Sequence, residues 1–298
     1  MDLDNLQQSS NVEDRRGSGG GGGVALGGGL GIGGVILVVI FGLLTGQNPL
    51  QILGSVTGGG SSTVNQPSQT SSNSSQVPRN DPAKVEILKV LKSTELVWGQ
   101  IFTASNRQYN QPVLVLYDGT TGTSGCGGAQ SEVGPFYCPG DKKVYIDLRF
   151  FNQLSSTGGS NSFARAYVLA HEIGHHVQDE LGILSQVNAR RQQSDERTSN
   201  ALSVRIELQA DCLAGVWANK ANVANSVQKS INLTQTDIQQ GLAAASRVGD
   251  DTLQREAGRR VVTDSFTHGS SAQRQRWFTA GFQGGTVSSC NTFSTNQL

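Results

Sequence analysis

Three of the four histidines in this chain lie within six residues of one another, in the stretch YVLAHEIGHHVQDELGI. His171, Glu172 and His175 form the pattern H-E-x-x-H. On a helix, residues i and i+4 lie on one face, so two imidazole rings can converge on one metal ion. Zinc binds neutral imidazole nitrogen, and Glu172 falls where its carboxylate can take a proton from an activated water. The alternative is a helix whose histidines only hydrogen-bond to backbone carbonyls.

The residues around this pattern predict a buried helix that ends at Gly182. Its apolar neighbours are Ala166, Leu169, Ala170, Ile173 and Val177. Gly174 lies inside the pattern, and glycine costs about 1 kcal/mol relative to alanine in a helix, which indicates close packing by another element. His176 follows His175 and points about 100° away from the metal-binding face. We therefore expect a structural role for His176.

A catalytic zinc site usually has three protein ligands and one open position, so a third ligand must come from elsewhere. Downstream, LSVRIELQADCLAGVWA has helical apolar spacing and places Glu207 and Asp211 on one face. An acidic pair in so apolar a helix needs a partner. We expect Glu207 to bind zinc and Asp211 to bind the far nitrogen of a ligand histidine. Asp211 is the alternative ligand, and Cys212 is better placed for a disulfide.

Composition bounds the class of protein. The chain has 298 residues and a formal net charge of zero, so it lacks the basic footprint of a nucleic-acid-binding protein. Few strands and many helices after residue 81 predict an α+β domain, mainly helical with a small sheet, over residues 81–298. Asp81 and Pro82 begin its first helix, and PVLVLYDG and KKVYIDLRFF are its predicted strands. Further helices are predicted over 162–182, 196–220, 234–247 and 270–282.

The N-terminal part of the chain predicts a membrane anchor. Residues 1–29 form a polar, then glycine-rich tail without packed structure, and residues 47–80 form a Ser/Gln/Gly-rich linker. Between them, residues 30–46 are uncharged and mostly apolar, close to the roughly 17–25 residues of a transmembrane helix. Arg15 and Arg16 precede this run, which places the tail in the cytoplasm and the domain outside. The alternatives are a cleaved signal peptide and a buried core helix.

Three longer segments carry a specific resemblance. AYVLAHEIGHHVQ, ALSVRIELQADCLAGVWA and DSFTHGSSAQRQRWF resemble the bacterial membrane-anchored family of neutral zinc metallopeptidases, and the order H-E-x-x-H then E-x-x-A-D is similar to that of the gluzincins. VEDRRG, NPL, VWGQIF, GPFYCP and KVYIDLRFF fit the same family. The resemblance covers nearly the whole chain except the linker. It implies a zincin-like domain that hydrolyses peptide bonds.

Carried over by position, the resemblance implies zinc on His171, His175 and Glu207, with Glu172 as general base. Asp211 matches the carboxylate that supports a ligand histidine. The developing oxyanion needs a second donor besides zinc. His268 is one candidate, although it could instead pack in a turn before a helix capped by Ser270 or Ser271.

Other residues are less favoured candidates for a role in catalysis. Tyr137 and Tyr145 are further candidates for the oxyanion donor. KVYIDL alternates like an edge strand and could pair with an extended substrate, although such strands are more often ordinary sheet.

The four cysteines are even in number and contain no C-x-x-C pair, which favours disulfides in an oxidising compartment over a zinc ribbon. Proximity favours the pairs Cys126–Cys138 and Cys212–Cys290 among the three possible pairings; four buried thiols are the alternative.

The sequence as a whole predicts a single-pass membrane protein with an extracytoplasmic, zinc-dependent metallopeptidase domain and a peptide or protein substrate. The alternative is a non-catalytic zinc-stabilised scaffold or binding protein at the membrane.

Overall fold

The first long helix begins as the sequence predicts. The Asp81 carboxylate accepts hydrogen bonds from the backbone amides of Ala83 and Lys84, and Pro82 occupies the first turn.

The computed structural model describes residues 1–17, 81–130, 134–151, 162–222 and 231–298. Its helices are α1 (Pro82–Ala104), α2 (Ser162–Glu180), α3 (Ile183–Gln192), α4 (Glu196–Asn222), α5 (Gln235–Arg247), α6 (Asp250–Glu256) and α7 (Ser271–Gly284).

The strands are short and form two small sheets. Their bounds are β1 (Val12–Asp14), β2 (Val113–Leu116), β3 (Thr120–Gly122), β4 (Gly128–Gln130), β5 (Phe136–Cys138) and β6 (Lys143–Ile146). The larger sheet has the order β1-β2-β6-β5, with β5 antiparallel to β6 and the other pairs parallel; β3 and β4 form an antiparallel hairpin. The described residues thus form a mainly helical α+β fold with a small mixed sheet, as the sequence predicts.

Two predictions about strands are wrong. KVYIDL is not an edge strand, because β6 lies between β2 and β5; among the described strands, β5 is the edge on that side. The predicted tail is also structured in part, because residues 1–17 pack on the domain and β1 pairs with β2. A strand of three residues in a polar tail has no periodic pattern of its own, so its contacts with the domain stabilise it.

Helix α4 lies at the centre of the helical part, where glycines allow close approach of its neighbours. A side chain at Gly174 of α2 would come within 2.9 Å of the Ala210 carbonyl on α4. A side chain at Gly281 of α7 would overlap the Cys212 backbone of α4. The close packing expected at Gly174 is therefore confirmed, and it is α4, the helix of Glu207, that packs there.

Both predicted disulfides are present. Cys126–Cys138 closes a short loop, and Cys212–Cys290 ties the C-terminal segment to α4. The predicted transmembrane run 30–46 and the linker 47–80 lie outside the described residues. Within the part of the chain that the structure describes, no helix is long and apolar enough to cross a membrane.

Candidate metal centre

Helices α2 and α4 bring His171, His175 and Glu207 together at their crossing. The His171 Nε2 atom lies 3.2 Å from Glu207 Oε2, and His175 Nε2 lies 3.5 Å from Glu207 Oε1. One ligand atom from each residue can be chosen so that all lie within 4.8 Å of one another. Two ligands of a tetrahedral zinc ion, each 2.0–2.2 Å from it, are about 3.3–3.6 Å apart. The two measured separations fit such an ion, and these three side chains leave a fourth position for water or substrate.

A buried charged network holds His171. Its Nδ1 atom lies 2.9 Å from Asp211 Oδ1, which leaves Nε2 free to face Glu207. Arg274 of α7 donates to both Asp211 oxygens, at 2.8 and 2.9 Å, and the Tyr167 hydroxyl donates to Oδ1. Asp211 is fully buried and Arg274 is 3% exposed. Asp211 is therefore placed as a support for the ligand histidine, as expected, while Glu207 faces both histidines.

A neutral chain of amides holds His175. The His175 Nδ1–H donates to Gln178 Oε1 at 2.9 Å, one turn along α2. Gln178 donates in turn to the Ile206 carbonyl and to Gln209 Oε1, at 2.8 and 3.0 Å. Gln209 donates to the Cys290 carbonyl at 2.9 Å. The disulfide that fixes Cys290 to α4 therefore also supports the orientation of His175.

Glu172 lies beside this ligand set and is 7% exposed. Burial raises the pKa of its carboxyl group to about 8, aided by the charge of Glu207 and opposed by His171. The backbone amide of Tyr137 on strand β5 donates a hydrogen bond to it. A carboxylate with raised proton affinity, within reach of an open metal position, is suited to accept a proton and return it.

The charges of the site favour binding of a cation. Burial raises the pKa of Glu207, but the neighbouring histidines outweigh this effect and hold it well below its usual range. Burial also raises the pKa of Asp211, but Arg274 and His171 bring it down to about 2. Both carboxylates are therefore anionic near neutral pH. Burial lowers the pKa of His171, but Asp211 and Glu207 outweigh this effect and raise it to about 10, so a bound cation would take the place of a proton between these side chains.

His268 lies next to Glu207, on the turn that precedes α7. It contributes to lowering the pKa of Glu207, and the neighbouring Gly269 lies against Val204 and Leu208 on the helix of Glu207. The His268 ring is 2% exposed. Its Nδ1 atom is 3.0 Å from Asp250 Oδ1, and its Nε2 atom is buried without a hydrogen-bond partner among the described residues. Ser270 caps α7, as expected.

The other candidates from the sequence are engaged elsewhere. The Tyr137 hydroxyl donates to Asp179 at 2.9 Å, and the Tyr145 hydroxyl donates to Asp141 at 2.6 Å. His176 is buried, and its Nε2–H donates to the Asn110 carbonyl at 2.7 Å. These contacts favour a structural role for His176, as expected, and remove both tyrosine hydroxyls as ready oxyanion donors.

Three residues that organise the site, Gln178, Arg274 and Asp250, were not predicted from the sequence. Gln178 could have been suspected, because it lies one helical turn after His175 and can reach its ring. Arg274 and Asp250 lie on helices far along the chain from the histidines they affect. Their partners depend on how α6 and α7 pack, which spacing does not reveal.

Two histidines and a glutamate on crossing helices, with a second glutamate beside them, form a group of side chains that could hold a metal ion. A family model described as "Putative neutral zinc metallopeptidase" matches residues 1–293, and the chain belongs to this family. It is 45% identical over 292 residues to "Uncharacterized protein YpfJ" of Escherichia coli (strain K12), covering 96% of each chain. It is also 45% identical over 212 residues to "Uncharacterized protein Rv2575" of Mycobacterium tuberculosis, covering 69% of each. No solved structure matches the chain.

Proposed function

We propose that this protein is a zinc-dependent peptidase that hydrolyses peptide bonds of peptides or proteins. The observation that carries the proposal is Glu172, buried beside the three ligand side chains with an acceptor oxygen and a raised pKa. A structural zinc site fills all four positions with protein ligands and needs no base. The combination of His171, His175 and Glu207 with a neighbouring carboxylate therefore favours catalysis over a zinc-stabilised scaffold.

The residues of the chain divide the work as follows. His171, His175 and Glu207 would hold zinc, which when bound supplies Lewis-acid polarisation of a carbonyl and acidification of a water. Glu172 accepts the proton of the attacking water and delivers it to the leaving amine. His268 has an Nε2 atom that is buried without a hydrogen-bond partner among the described residues, and from that atom it donates a hydrogen bond to the developing oxyanion. Asp250 orients the ring through its contact with Nδ1.

Strand β5 is where an extended substrate would lie. It is an edge among the described strands, and its Tyr137 amide contacts Glu172. An exposed strand edge can take up a peptide through backbone hydrogen bonds. This assignment replaces KVYIDL, whose strand is covered on both sides.

The location of the enzyme is also a proposal. Two disulfides at Cys126–Cys138 and Cys212–Cys290 support an extracytoplasmic compartment, because cytoplasmic thiols are kept reduced. The apolar run 30–46 supports attachment to a membrane. Neutral net charge supports a peptide substrate rather than nucleic acid.

The direct test is Glu172→Gln in the full chain. We expect zinc content, measured by elemental analysis, to equal that of the wild type, while cleavage of a broad peptide library is lost, because only the proton acceptor is removed. Glu207→Ala should instead lower zinc content. Glu180→Gln is the matched control: it removes a carboxylate of the same helix that pairs with Lys142 rather than with the ligand side chains, and it should leave both quantities unchanged. A zinc-loaded wild type that cleaves no peptide in the library would overturn the proposal in favour of the scaffold.

A further inference from the structure

Residues 1–17 are attached to the domain along their length. Strand β1 lies parallel to β2, with Val12 opposite Leu114 and Asp14 opposite Leu116. The Leu114 amide donates to the Asn11 carbonyl at 2.9 Å, and the Arg15 amide donates to the Leu116 carbonyl at 2.8 Å. The N-terminal segment therefore extends the sheet of the domain as an edge strand.

Buried polar and apolar contacts fix the same segment to α1. The Ser9 hydroxyl donates to Glu95, and Asn11 Nδ2 donates to the same oxygen at 2.7 Å. Ser9 is 4% exposed and Glu95 is 2% exposed, so water cannot readily replace their hydrogen bond. Leu3 is buried in the main hydrophobic core. These contacts bury Leu3 and Ser9 in the domain, although other residues of the segment are exposed.

Ion pairs complete the attachment. Arg16 lies 2.5 Å from Asp81, the cap of α1, and its side chain is 4% exposed. Lys84 lies 2.8 Å from Asp14, and Lys143 lies 2.5 Å from Glu13. Arg15 pairs with Glu13 and donates to the Gly122 carbonyl. Arg15 and Arg16, on which the predicted cytoplasmic position of the tail rests, thus have partners within the folded domain.

This packing conflicts with a single membrane crossing at residues 30–46. Such a crossing would put residues 1–17 and 81–298 on opposite sides of the bilayer, where they could not touch. A second copy would not resolve the conflict, because its N-terminal segment would lie on the wrong side as well. The chain also leaves the domain next to the point where it returns, because Arg16 is bonded to Asp81.

We infer that residues 1–17 are a structural part of the catalytic domain, contributed by the same chain, and lie on the same side of the membrane as residues 81–298. This inference corrects the predicted cytoplasmic tail. It does not depend on zinc or on peptidase activity.

The first experiment maps the side of each part with single added cysteines in the full chain. Gln8→Cys and Ala189→Cys both lie at exposed positions, one in the N-terminal segment and one on α3. Spheroplasts that express either variant are treated with a membrane-impermeant maleimide, before and after lysis. We expect the two cysteines to behave alike: either both are labelled before and after lysis, or both are labelled only after lysis. Labelling of one in intact spheroplasts while the other needs lysis overturns the inference.

The second experiment uses the wild-type chain in its membrane and a zero-length carbodiimide cross-linker. Mass spectrometry of the monomer-sized species should find Glu13 joined to Lys143 and Asp14 joined to Lys84, because each pair is in contact. Glu13→Gln is the matched control and should remove only the first link. Absence of both links, or links found only in dimer-sized species, overturns docking within one chain.

Discussion

The structure contains two histidine–aspartate pairs whose histidines both influence Glu207, and the pairs differ in what each histidine faces. In both, the aspartate binds Nδ1: His171 to Asp211 at 2.9 Å and His268 to Asp250 at 3.0 Å. The Nε2 atom of His171 faces Glu207 at 3.2 Å, whereas that of His268 is buried without a described partner. The same local pair therefore faces a carboxylate in one place and leaves a buried ring nitrogen without a hydrogen-bond partner in the other.

The aspartates also differ in what holds them. Asp211 is held by the guanidinium of Arg274, so its pair belongs to a charged network inside the helical core. Asp250 Oδ2 accepts the backbone amides of Thr267, His268 and Gly269, at 2.7, 2.7 and 3.0 Å, so the turn itself fixes that carboxylate. We expect loss of Asp211 to damage fold and metal together, and changes at the second pair to affect catalysis alone.

The largest effect is expected for Asp211→Ala. It leaves Arg274 buried without its partner, which should lower the free energy of unfolding by about 3–5 kcal/mol. It also removes the support of His171 Nδ1, which should weaken zinc binding about 10–100-fold. Denaturant unfolding and competition with a zinc chelator measure the two quantities.

Asp264→Ala is the control for the loss of one carboxylate. Asp264 pairs with Arg197 at 3.4 Å, and both side chains are more than half exposed. The pair should therefore contribute no more than about 1 kcal/mol. If Asp211→Ala had the same free energy of unfolding and the same zinc affinity as the wild type, the charged network would not support the metal site.

A smaller and more selective effect is expected for His268→Ala. Zinc content should be unchanged, because no ligand is altered, while kcat falls about 10²–10³-fold through loss of an oxyanion donor. Asp250 keeps its three backbone amides, so the turn should remain. His268→Gln, which retains a side-chain donor, should recover part of kcat. A kcat within twofold of the wild type, or loss of zinc, would assign His268 a structural role instead.

Helix periodicity predicted the His171–Asp211 pair better than the His268–Asp250 pair. His171, Glu172 and His175 follow from helix periodicity, and Glu207 and Asp211 share one face of the next long helix, so spacing and resemblance together predict most of the metal site. Asp250 was not predicted, because its link to His268 depends on how a two-turn helix packs against a distant turn. The same limit applies to strand β1, whose stability comes from contacts with α1 and β2 rather than from its own residues.

The smallest effect is expected for Asp250→Asn, which removes charge while retaining shape. The remaining side-chain oxygen can still accept the three backbone amides, so stability and zinc content should stay near those of the wild type. The amide nitrogen then faces His268 Nδ1 and cannot accept a hydrogen bond from it, so the ring loses its anionic partner. A net loss of about 1 kcal/mol for that hydrogen bond should lower kcat about five- to tenfold. Asp211→Asn is the matched change at the first pair, and there zinc affinity should fall, because that carboxylate supports a ligand. If the two asparagine variants lowered zinc affinity equally, the division of the pairs into one for the metal and one for the oxyanion would be wrong.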